Sequence, residues 1–211
     1  MFIVSMALSI DKNLLVLIPE AKILKNQYVT LKPLCIEDAP GYLHIGQDAQ
    51  IWSYLTPQPF AQLDDAQHWI LSMLKRAEQE GYIPFTVFDN ISGELAGSSS
   101  YLDVRVEHAG LEIGFTWYGV KFQRSHVNTA TKLALLTEAF ETLGANRVQL
   151  QTDLRNKKSQ QAIERLGAHR EGVLRMHKVY PDGYIRDSVI YSITSADWPH
   201  VKQKLNQFLD R

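Results

Sequence analysis

Alternating and helical patterns of apolar residues divide the chain into a mixed series of strands and helices. Alternation, or runs rich in β-branched and aromatic residues, predicts strands at 28–36, 84–89, 94–106, 111–118, 147–152, 170–179 and 184–193. Spacing of three and four residues predicts helices at 37–51, 66–80, 129–143 and 156–166, and a closing helix from Trp198. This order, strand–helices–three strands–helix–strand–helix–two strands, predicts an α+β fold.

Glycine and polar residues mark several of the boundaries. Asp64 is a candidate N-cap for the second helix, and Gly81 a candidate stop. The first helix is expected to break near Gly41 and Gly46. The run 181–183, Pro-Asp-Gly, is typical of a hairpin turn.

The stretch 111–136 combines a strand, a polar turn and the start of a helix. The turn at 123–128 leaves the first N–H groups of the helix without intrahelical partners, and such groups together with the helix dipole attract anions. The charge pattern agrees, because 113–137 contains no Asp or Glu but includes Lys121, Arg124, His126 and Lys132. The alternative is an ordinary surface helix with solvated cations.

Composition and charge narrow the class. The chain has 211 residues and a net charge of −1, which fits one domain and lacks the basic excess of a general nucleic-acid binder. The single cysteine, Cys35, excludes an internal disulfide. No apolar run reaches the ~20 residues of a membrane-spanning helix, and the histidines show no metal-ligand spacing. We therefore expect no nucleic acid, membrane or metal partner.

The amino-terminal region differs from the rest. Residues 1–27 are predicted to form an N-terminal extension, and 28–211 a single domain. The apolar run at 1–10 lacks a basic segment before it, so an added strand or helix is favoured over a signal peptide.

Three runs of sequence resemble a known family. WYGVKFQRSHVNTATKLALL, LEIGFTWY and TDLRNKKSQQAIERLGAHREGVLR resemble the GNAT superfamily of N-acetyltransferases, especially its RimJ/RimL-like (ribosomal-protein N-acetyltransferase) branch. The family's loop pattern, Gln/Arg-x-x-Gly-x-Gly/Ala, is only partly kept: Gln123 fits, whereas His126 and Asn128 occupy the glycine positions. The resemblance covers Tyr28 to about Trp198. It implies the GNAT fold, with a mixed central sheet, splayed central strands and flanking helices.

The resemblance also implies a cofactor site for acetyl-CoA, used as co-substrate. The turn at 123–128 would hold the pyrophosphate, the backbone at 115–117 would meet the thioester carbonyl, and the pantetheine arm would bond between the splayed strands. The expected cofactor-binding residues are Phe115, Thr116, Trp117, Gln123, Arg124, Ser125, His126, Val127, Asn128, Thr129, Asn156 and Lys158.

Two residues are candidates for catalysis. Glu112 is the candidate general base, acting through a water; strand alternation would place it with Gly114 and Thr116, where burial raises the pKa of a carboxyl. A solvent-facing carboxylate is the alternative. Many relatives have a tyrosine that protonates the leaving thiolate, but Ile163 stands in that place, so Ser159 is the remaining candidate donor.

Other candidates lie at the rims of this site. For Asn156 the alternative is a purely structural role as a helix N-cap. Lys157 and Lys158 oppose the helix dipole, which suggests that one of them, or Arg124, meets the 3′-phosphate of CoA. Trp52 and Tyr54 are candidates for lining the acceptor side, with core packing as the alternative.

The predicted activity is cytoplasmic N-acetyltransfer from acetyl-CoA by direct attack in a ternary complex, since no positioned cysteine nucleophile is apparent. The acceptor, a protein N-terminal α-amine or a small-molecule amine, stays open, as does the oligomeric state, for which a homodimer fits the family. The alternative function is a catalytically weak CoA-responsive or partner-binding module. The missing loop glycines favour that alternative, and Glu112, Asn156 and Ser159 oppose it.

Overall fold

The structure, a computed structural model, describes residues 19–55 and 58–210. Eight strands form one sheet: β1 (Leu24–Lys25), β2 (Val29–Pro33), β3 (Ile83–Asp89), β4 (Leu95–Arg105), β5 (Gly110–Tyr118), β6 (Arg147–Asp153), β7 (His169–Val179) and β8 (Ile185–Thr194). The helices are α1 (Ala39–Ile45), α2 (Ala49–Trp52), α3 (Leu63–Glu80), α4 (Val127–Thr137), α5 (Lys157–Leu166) and α6 (Trp198–Leu209). The element order predicted from the sequence is confirmed.

The sheet is mixed, with strand order β1-β2-β3-β4-β5-β6-β8-β7. Neighbouring strands are antiparallel except at the centre, where β5 and β6 run parallel. The antiparallel meander expected from β3 to β5 is present. A parallel pair needs a crossover connection, and α4 supplies it between β5 and β6. This arrangement puts the start of α4 at the end of β5.

Apolar residues cover both faces of the sheet. On one face, Leu111 and Ile113 of β5 pack with Leu135 of α4 and Leu205 of α6. On the other face, the side chains of α1 and α3 enclose an aromatic cluster that includes Tyr42, Trp52, Phe60, Trp69 and Trp117. Because β5 is covered on both sides, a polar side chain on it is buried unless a cavity opens beside it.

Two predicted helix boundaries are wrong. Asp64 does not cap α3: the N-cap is Gln62, and the Asp65 carboxylate accepts from its backbone N–H at 3.0 Å. Gly41 does not break α1, which continues to Ile45. A Cβ at Gly41 would lie 2.8 Å from Leu95 Cδ1, so close packing against β4 explains this glycine.

Helix α4 begins earlier than predicted, at Val127 instead of residue 129. It continues into a π-helical turn, Glu138–Thr142, and the chain leaves the helix at Gly144 with φ of 68°. The early start places His126 at the N-cap, so the polar turn and the first helical turn overlap. The predicted anion site and the helix terminus are therefore the same place.

The sheet starts before Tyr28, where the sequence analysis placed the start of the domain. Strand β1 pairs with β2, Leu24 lies in the core, and Lys22 forms a 2.8 Å ion pair with Glu138. Asn26 Nδ2 donates to the carbonyl oxygen of Ala130 in α4 at 2.8 Å. The rest of the predicted extension, residues 1–18, lies outside the described residues.

Candidate active site

The two central strands separate after a short paired segment. Strands β5 and β6 pair only from Gly110 to Glu112 on one side and Arg147 to Gln149 on the other. Beyond that point β5 remains paired with β4, and β6 with β8. The facing backbone edges are therefore open between the two strands, and the predicted splaying is confirmed. An open edge can bond an extended ligand as though it were another strand.

A bulge interrupts β5 where it faces this opening. Ser98 pairs with Trp117 and Ser100 with Gly114, so Ser99 stands opposite two residues. One of them, Phe115, has φ of 47°, an uncommon conformation for a residue other than glycine. The bulge turns the backbone at this point out of the regular ladder.

Because of the bulge, some side chains of β5 do not point where strand alternation predicted. Gly114 shares the face of Glu112, since a Cβ on it would lie 3.2 Å from Glu112 Oε1. Thr116, expected on the same face, instead points to α4 and accepts from Lys132 Nζ at 2.6 Å. Phe115 packs against α3, where its ring lies 5.5 Å from the Arg76 guanidinium carbon. The extra residue shifts the alternation by one position.

Glu112 lies in a cavity of about 710 Å³ beside the point where the strands separate. Its side chain is 3% exposed. Gln149 Nε2 donates to Glu112 Oε2 at 2.9 Å, and Gln151 Nε2 lies 2.7 Å from both carboxylate oxygens. Burial raises the pKa of Glu112 above its ordinary value, and the hydrogen bonds from the two glutamines oppose that rise.

A further polar group, not predicted from the sequence, holds Gln151 in place. Arg186, which is buried on β8, donates from Nη2 to Gln151 Oε1 at 3.3 Å. The same guanidinium donates to Ser188 Oγ at 2.9 Å and to the Tyr180 hydroxyl at 3.1 Å. The sequence does contain a signal for the two glutamines: Gln149 and Gln151 are two residues apart, so they lie on one face of a central strand.

The predicted pyrophosphate loop, 123–128, lies between β5 and α4 and includes the N-terminus of α4. Gln123 Nε2 donates back to the carbonyl oxygen of Tyr118 at 3.1 Å, and Ser125 Oγ donates to that of Phe122 at 2.6 Å. Ser125 Oγ also accepts from the N–H of Val127 at 3.2 Å. These bonds fix the loop, which carries the exposed Arg124 and leads into the first turn of the helix.

The side chain at the first glycine position of the family pattern is turned away from the loop. His126 has φ of −66°, so its backbone does not need a glycine. Its Nε2 lies 2.8 Å from Asp89 Oδ1, and its ring packs beside Tyr28. Burial acts to raise the pKa of Asp89, but the hydrogen bonds from Ser92 and His126 outweigh it, and the pKa is lowered. The backbone at this position is therefore one that any residue can adopt.

The N-terminus of α5 follows β6, the second of the two separated strands. Asn156 is the N-cap, and its Oδ1 accepts from the N–H of Ser159 at 3.0 Å. Ser159 is half-buried, whereas Lys157 and Lys158 are exposed. The capping role given as the alternative for Asn156 is thus real. The predicted residues at the starts of α4 and α5 therefore follow β5 and β6, the two strands that separate.

The predicted acceptor-side aromatics have different positions. Trp52 is 5% exposed, and its Nε1 donates to the carbonyl oxygen of Gly46 at 2.7 Å. Trp52 packs on Trp117 in the aromatic core, so it has no free surface for an acceptor, and that prediction is wrong. Trp117 can contribute only its backbone. Tyr54 is 38% exposed and lies beside the Arg155 guanidinium, 5.9 Å from ring centroid to Cζ.

Metal-ligating and membrane-spanning features are absent from residues 19–55 and 58–210. In these ranges no three or more His, Cys, Asp or Glu side chains are grouped to hold a metal ion. No helix of the same part of the chain is long and apolar enough to cross a membrane.

Comparison with known proteins agrees with this geometry. The family model described as "Acetyltransferase (GNAT) domain" matches residues 29–169. A Bacillus subtilis protein named "Putative ribosomal N-acetyltransferase YdaF" is 28% identical, over 82% of this chain and 94% of its own length. The crystal structure of an acetyltransferase from T. thermophilus, whose description calls it putative, is 35% identical with a TM-score of 0.82, covering 90% of this chain and 98% of that one.

A third relative has a similar structure. The crystal structure of a GCN5-related N-acetyltransferase from Brucella melitensis is 26% identical with a TM-score of 0.84, covering 91% of this chain and 87% of that one. The chain belongs to the GNAT acetyltransferase family, whose members transfer an acetyl group from acetyl-CoA to an amine. The name of the Bacillus subtilis relative agrees with the resemblance to the RimJ/RimL-like branch that the sequence shows.

Proposed function

We propose that this protein acetylates a primary amine by direct attack within a ternary complex, with Glu112 as the general base. The observation that carries the proposal is the position of Glu112. It is the buried carboxylate of a cavity that borders the separated strands, and two glutamine amides orient it. A raised pKa suits a carboxylate that must accept a proton near neutral pH.

Each step of the proposed reaction is assigned to particular groups of this chain. Glu112, through a water, removes a proton from the acceptor ammonium, so that the neutral nitrogen can attack. Gln149 and Gln151 keep the carboxylate oriented toward the cavity during this transfer. Backbone N–H groups at the β5 bulge offer hydrogen bonds to the carbonyl oxygen as it gains negative charge. Ser159, at the first turn of α5, is the candidate hydrogen-bond donor to the departing thiolate.

The open strand edges and the start of α4 carry groups that suit the binding of acetyl-CoA. When bound, acetyl-CoA supplies the thioester whose carbonyl the amine attacks. The open edges of β5 and β6 match its amide-containing arm, and the first N–H groups of α4 match its pyrophosphate. Arg124 adds a cation at that end, and the nearby Asp89 carboxylate is already satisfied by Ser92 and His126.

We infer a protein N-terminal α-amine as the acceptor to test first. The name of the Bacillus subtilis relative refers to a ribosomal acetyltransferase, which supports a protein acceptor and a cytoplasmic setting. A small-molecule amine is the second acceptor class, and the cavity volume of about 710 Å³ accommodates either a chain end or a small amine.

The test begins with ligand binding. In a thermal-shift titration of the full chain, acetyl-CoA and CoA are expected to raise Tm in a concentration-dependent way, whereas ATP is not. A ligand at ~100 times its Kd adds roughly 2.7 kcal/mol to the free energy of unfolding. Thiol release is then measured with peptides bearing free or blocked N-termini and with small amines.

Each result of that test has a clear meaning. Thiol release that requires a free α-amine supports the proposal. Binding of CoA without release from any amine favours the catalytically weak module. No shift at millimolar acetyl-CoA removes the cofactor from both explanations.

Charge reversal at the two helix termini tests the 3′-phosphate contact. Replacing Arg124, Lys157 or Lys158 singly with Glu is expected to weaken CoA by about 5- to 20-fold at one of these positions, and dephospho-CoA by less than about twofold, because only CoA carries the 3′-phosphate. Isothermal titration calorimetry measures both constants. Equal losses for the two ligands at all three positions would contradict the assignment.

A further inference from the structure

A buried amine lies beneath the bulge of β5. Lys132 of α4 is 4% exposed. Its Nζ donates to Ser99 Oγ at 3.1 Å and to Thr116 Oγ1 at 2.6 Å, and these two hydroxyls bond each other at 2.7 Å. The hydrogen-bond partners that the structure gives this Nζ are hydroxyls, not carboxylates. Burying an amine without a carboxylate is costly, so its presence calls for a role.

The three side chains meet at the irregular part of the sheet. Ser99 is the β4 residue that faces the bulge, and Thr116 belongs to the bulge itself. The neighbouring residue, Phe115, has φ of 47°, a conformation that persists only where its surroundings enforce it. Lys132 joins β4, β5 and α4 at this point, and α4 is the helix whose N-terminus forms the predicted pyrophosphate loop.

We propose that Lys132 is a positioning residue for acetyl transfer, which fixes the β5 bulge so that its backbone N–H groups face the thioester. This rests on the proposed function, because the bulge affects turnover only if the thioester lies along β5. The role does not depend on protonation, since a neutral amine still has two N–H groups for the two hydroxyls. A methionine of similar length would fill the space without holding the hydroxyls.

The first experiment measures the bulge directly, in the full chain without ligand. Hydrogen–deuterium exchange of the amides at 113–118 is compared for wild type, Lys132→Met and Thr116→Val. Lys132→Met removes both amine–hydroxyl bonds and Thr116→Val removes one of them, so exchange at the bulge is expected to rise in both, by about tenfold in Lys132→Met and by less in Thr116→Val. Thr131→Val, a buried neighbour on α4 that does not hydrogen-bond to Ser99 or Thr116, is the matched control and is expected to leave exchange there unchanged.

The second experiment separates positioning from general support of the fold. With the acceptor identified by thiol release, Lys132→Met is expected to lower kcat by about 10- to 100-fold. The Kd for CoA, measured by calorimetry, should stay within about threefold. Thr116→Val keeps the amine in place, and it should also lower kcat, by a smaller factor, without changing the Kd for CoA. This second variant keeps the proposal testable even where Lys132→Met fails to fold.

Two outcomes would overturn the proposal. One is wild-type exchange at 113–118 in both variants. The other is a parallel loss of kcat, CoA affinity and stability, which would make Lys132 a structural residue. The exchange measurement needs no acceptor. A failure of the proposed activity therefore remains distinguishable from a failure of this inference.

Discussion

Replacing Glu112 with glutamine is expected to lower the rate of acetyl transfer by about 10²- to 10³-fold, with the Kd for acetyl-CoA within about threefold of wild type. Glutamine keeps the size of the side chain, and its carbonyl oxygen still accepts from Gln149 or Gln151, but it cannot accept a proton from the acceptor amine. Steady-state kinetics and calorimetry on the same preparations measure the two effects.

The pH dependence gives this prediction a second readout. Glu112 must be ionised to act as a base, so activity falls as pH drops through its folded-state pKa. Burial raises that pKa above the ordinary value of 4.5, so the acid limb of kcat/KM should lie above pH 4.5. That limb should be absent from the residual activity of Glu112→Gln.

The control for Glu112 is a carboxylate on the opposite side of the sheet. Glu138 pairs with Lys22 at 2.8 Å and does not border the cavity. Glu138→Gln is expected to keep the wild-type rate and pH profile. An unchanged rate in Glu112→Gln, or a loss of acetyl-CoA affinity as large as the loss of rate, would remove Glu112 from the role of base.

The second large effect concerns stability. Lys132→Met is expected to raise the free energy of unfolding at pH 6 by on the order of 3–5 kcal/mol. Burial lowers the pKa of Lys132 from 10.5 to about 7, so charging this amine in the folded protein is unfavourable. Methionine removes that cost, and the Ser99 and Thr116 hydroxyls still bond each other.

The sign of the pH dependence follows from proton counting. Between about pH 7 and pH 10.5 the unfolded chain binds a proton at Lys132 that the folded protein has lost, so this residue makes wild-type stability rise with pH. Below pH 7 both states are protonated and the full cost remains. The advantage of Lys132→Met should therefore be largest below pH 7 and decline toward pH 10.5.

Denaturant unfolding of both proteins at pH 6, 8 and 9.5 measures this difference. Thr131→Val, changed one position earlier on α4, should differ from wild type by an amount that does not vary with pH. A destabilised Lys132→Met, or a constant difference across the three pH values, would contradict the prediction. A variant with a higher free energy of unfolding and a lower kcat would instead support the positioning role, since the buried amine would then lower stability but raise activity.

Local sequence was sufficient to predict the order of the elements and many of their ends. Periods of two and of three to four residues depend only on how a strand or a helix presents its side chains. Glycines end elements where the backbone turns to positive φ, as at Gly81, Gly144 and Gly167. The resemblance of the β5–α4 stretch led to the family and to the splayed strands, and the N-cap at Asn156 followed from the residue type and its place before a helix.

Contacts between distant parts of the chain determine which side chains meet. The bulge arises from the pairing of β5 with β4, so alternation along β5 alone misplaced Thr116. Trp52 is buried because α2 packs against the aromatic cluster, a contact that its own surroundings in the sequence do not reveal.

The polar surroundings of the candidate site depend on the same long-range contacts. Gln149 and Gln151 reach Glu112 from β6, and Arg186 reaches Gln151 from β8. The sequence around Lys132 predicts an ordinary surface cation, yet in the fold its amine bonds to Ser99 of β4 and Thr116 of β5. Local periodicity fixes the direction of a side chain within its own element, but its partners, burial and pKa are set by elements that only the fold brings together.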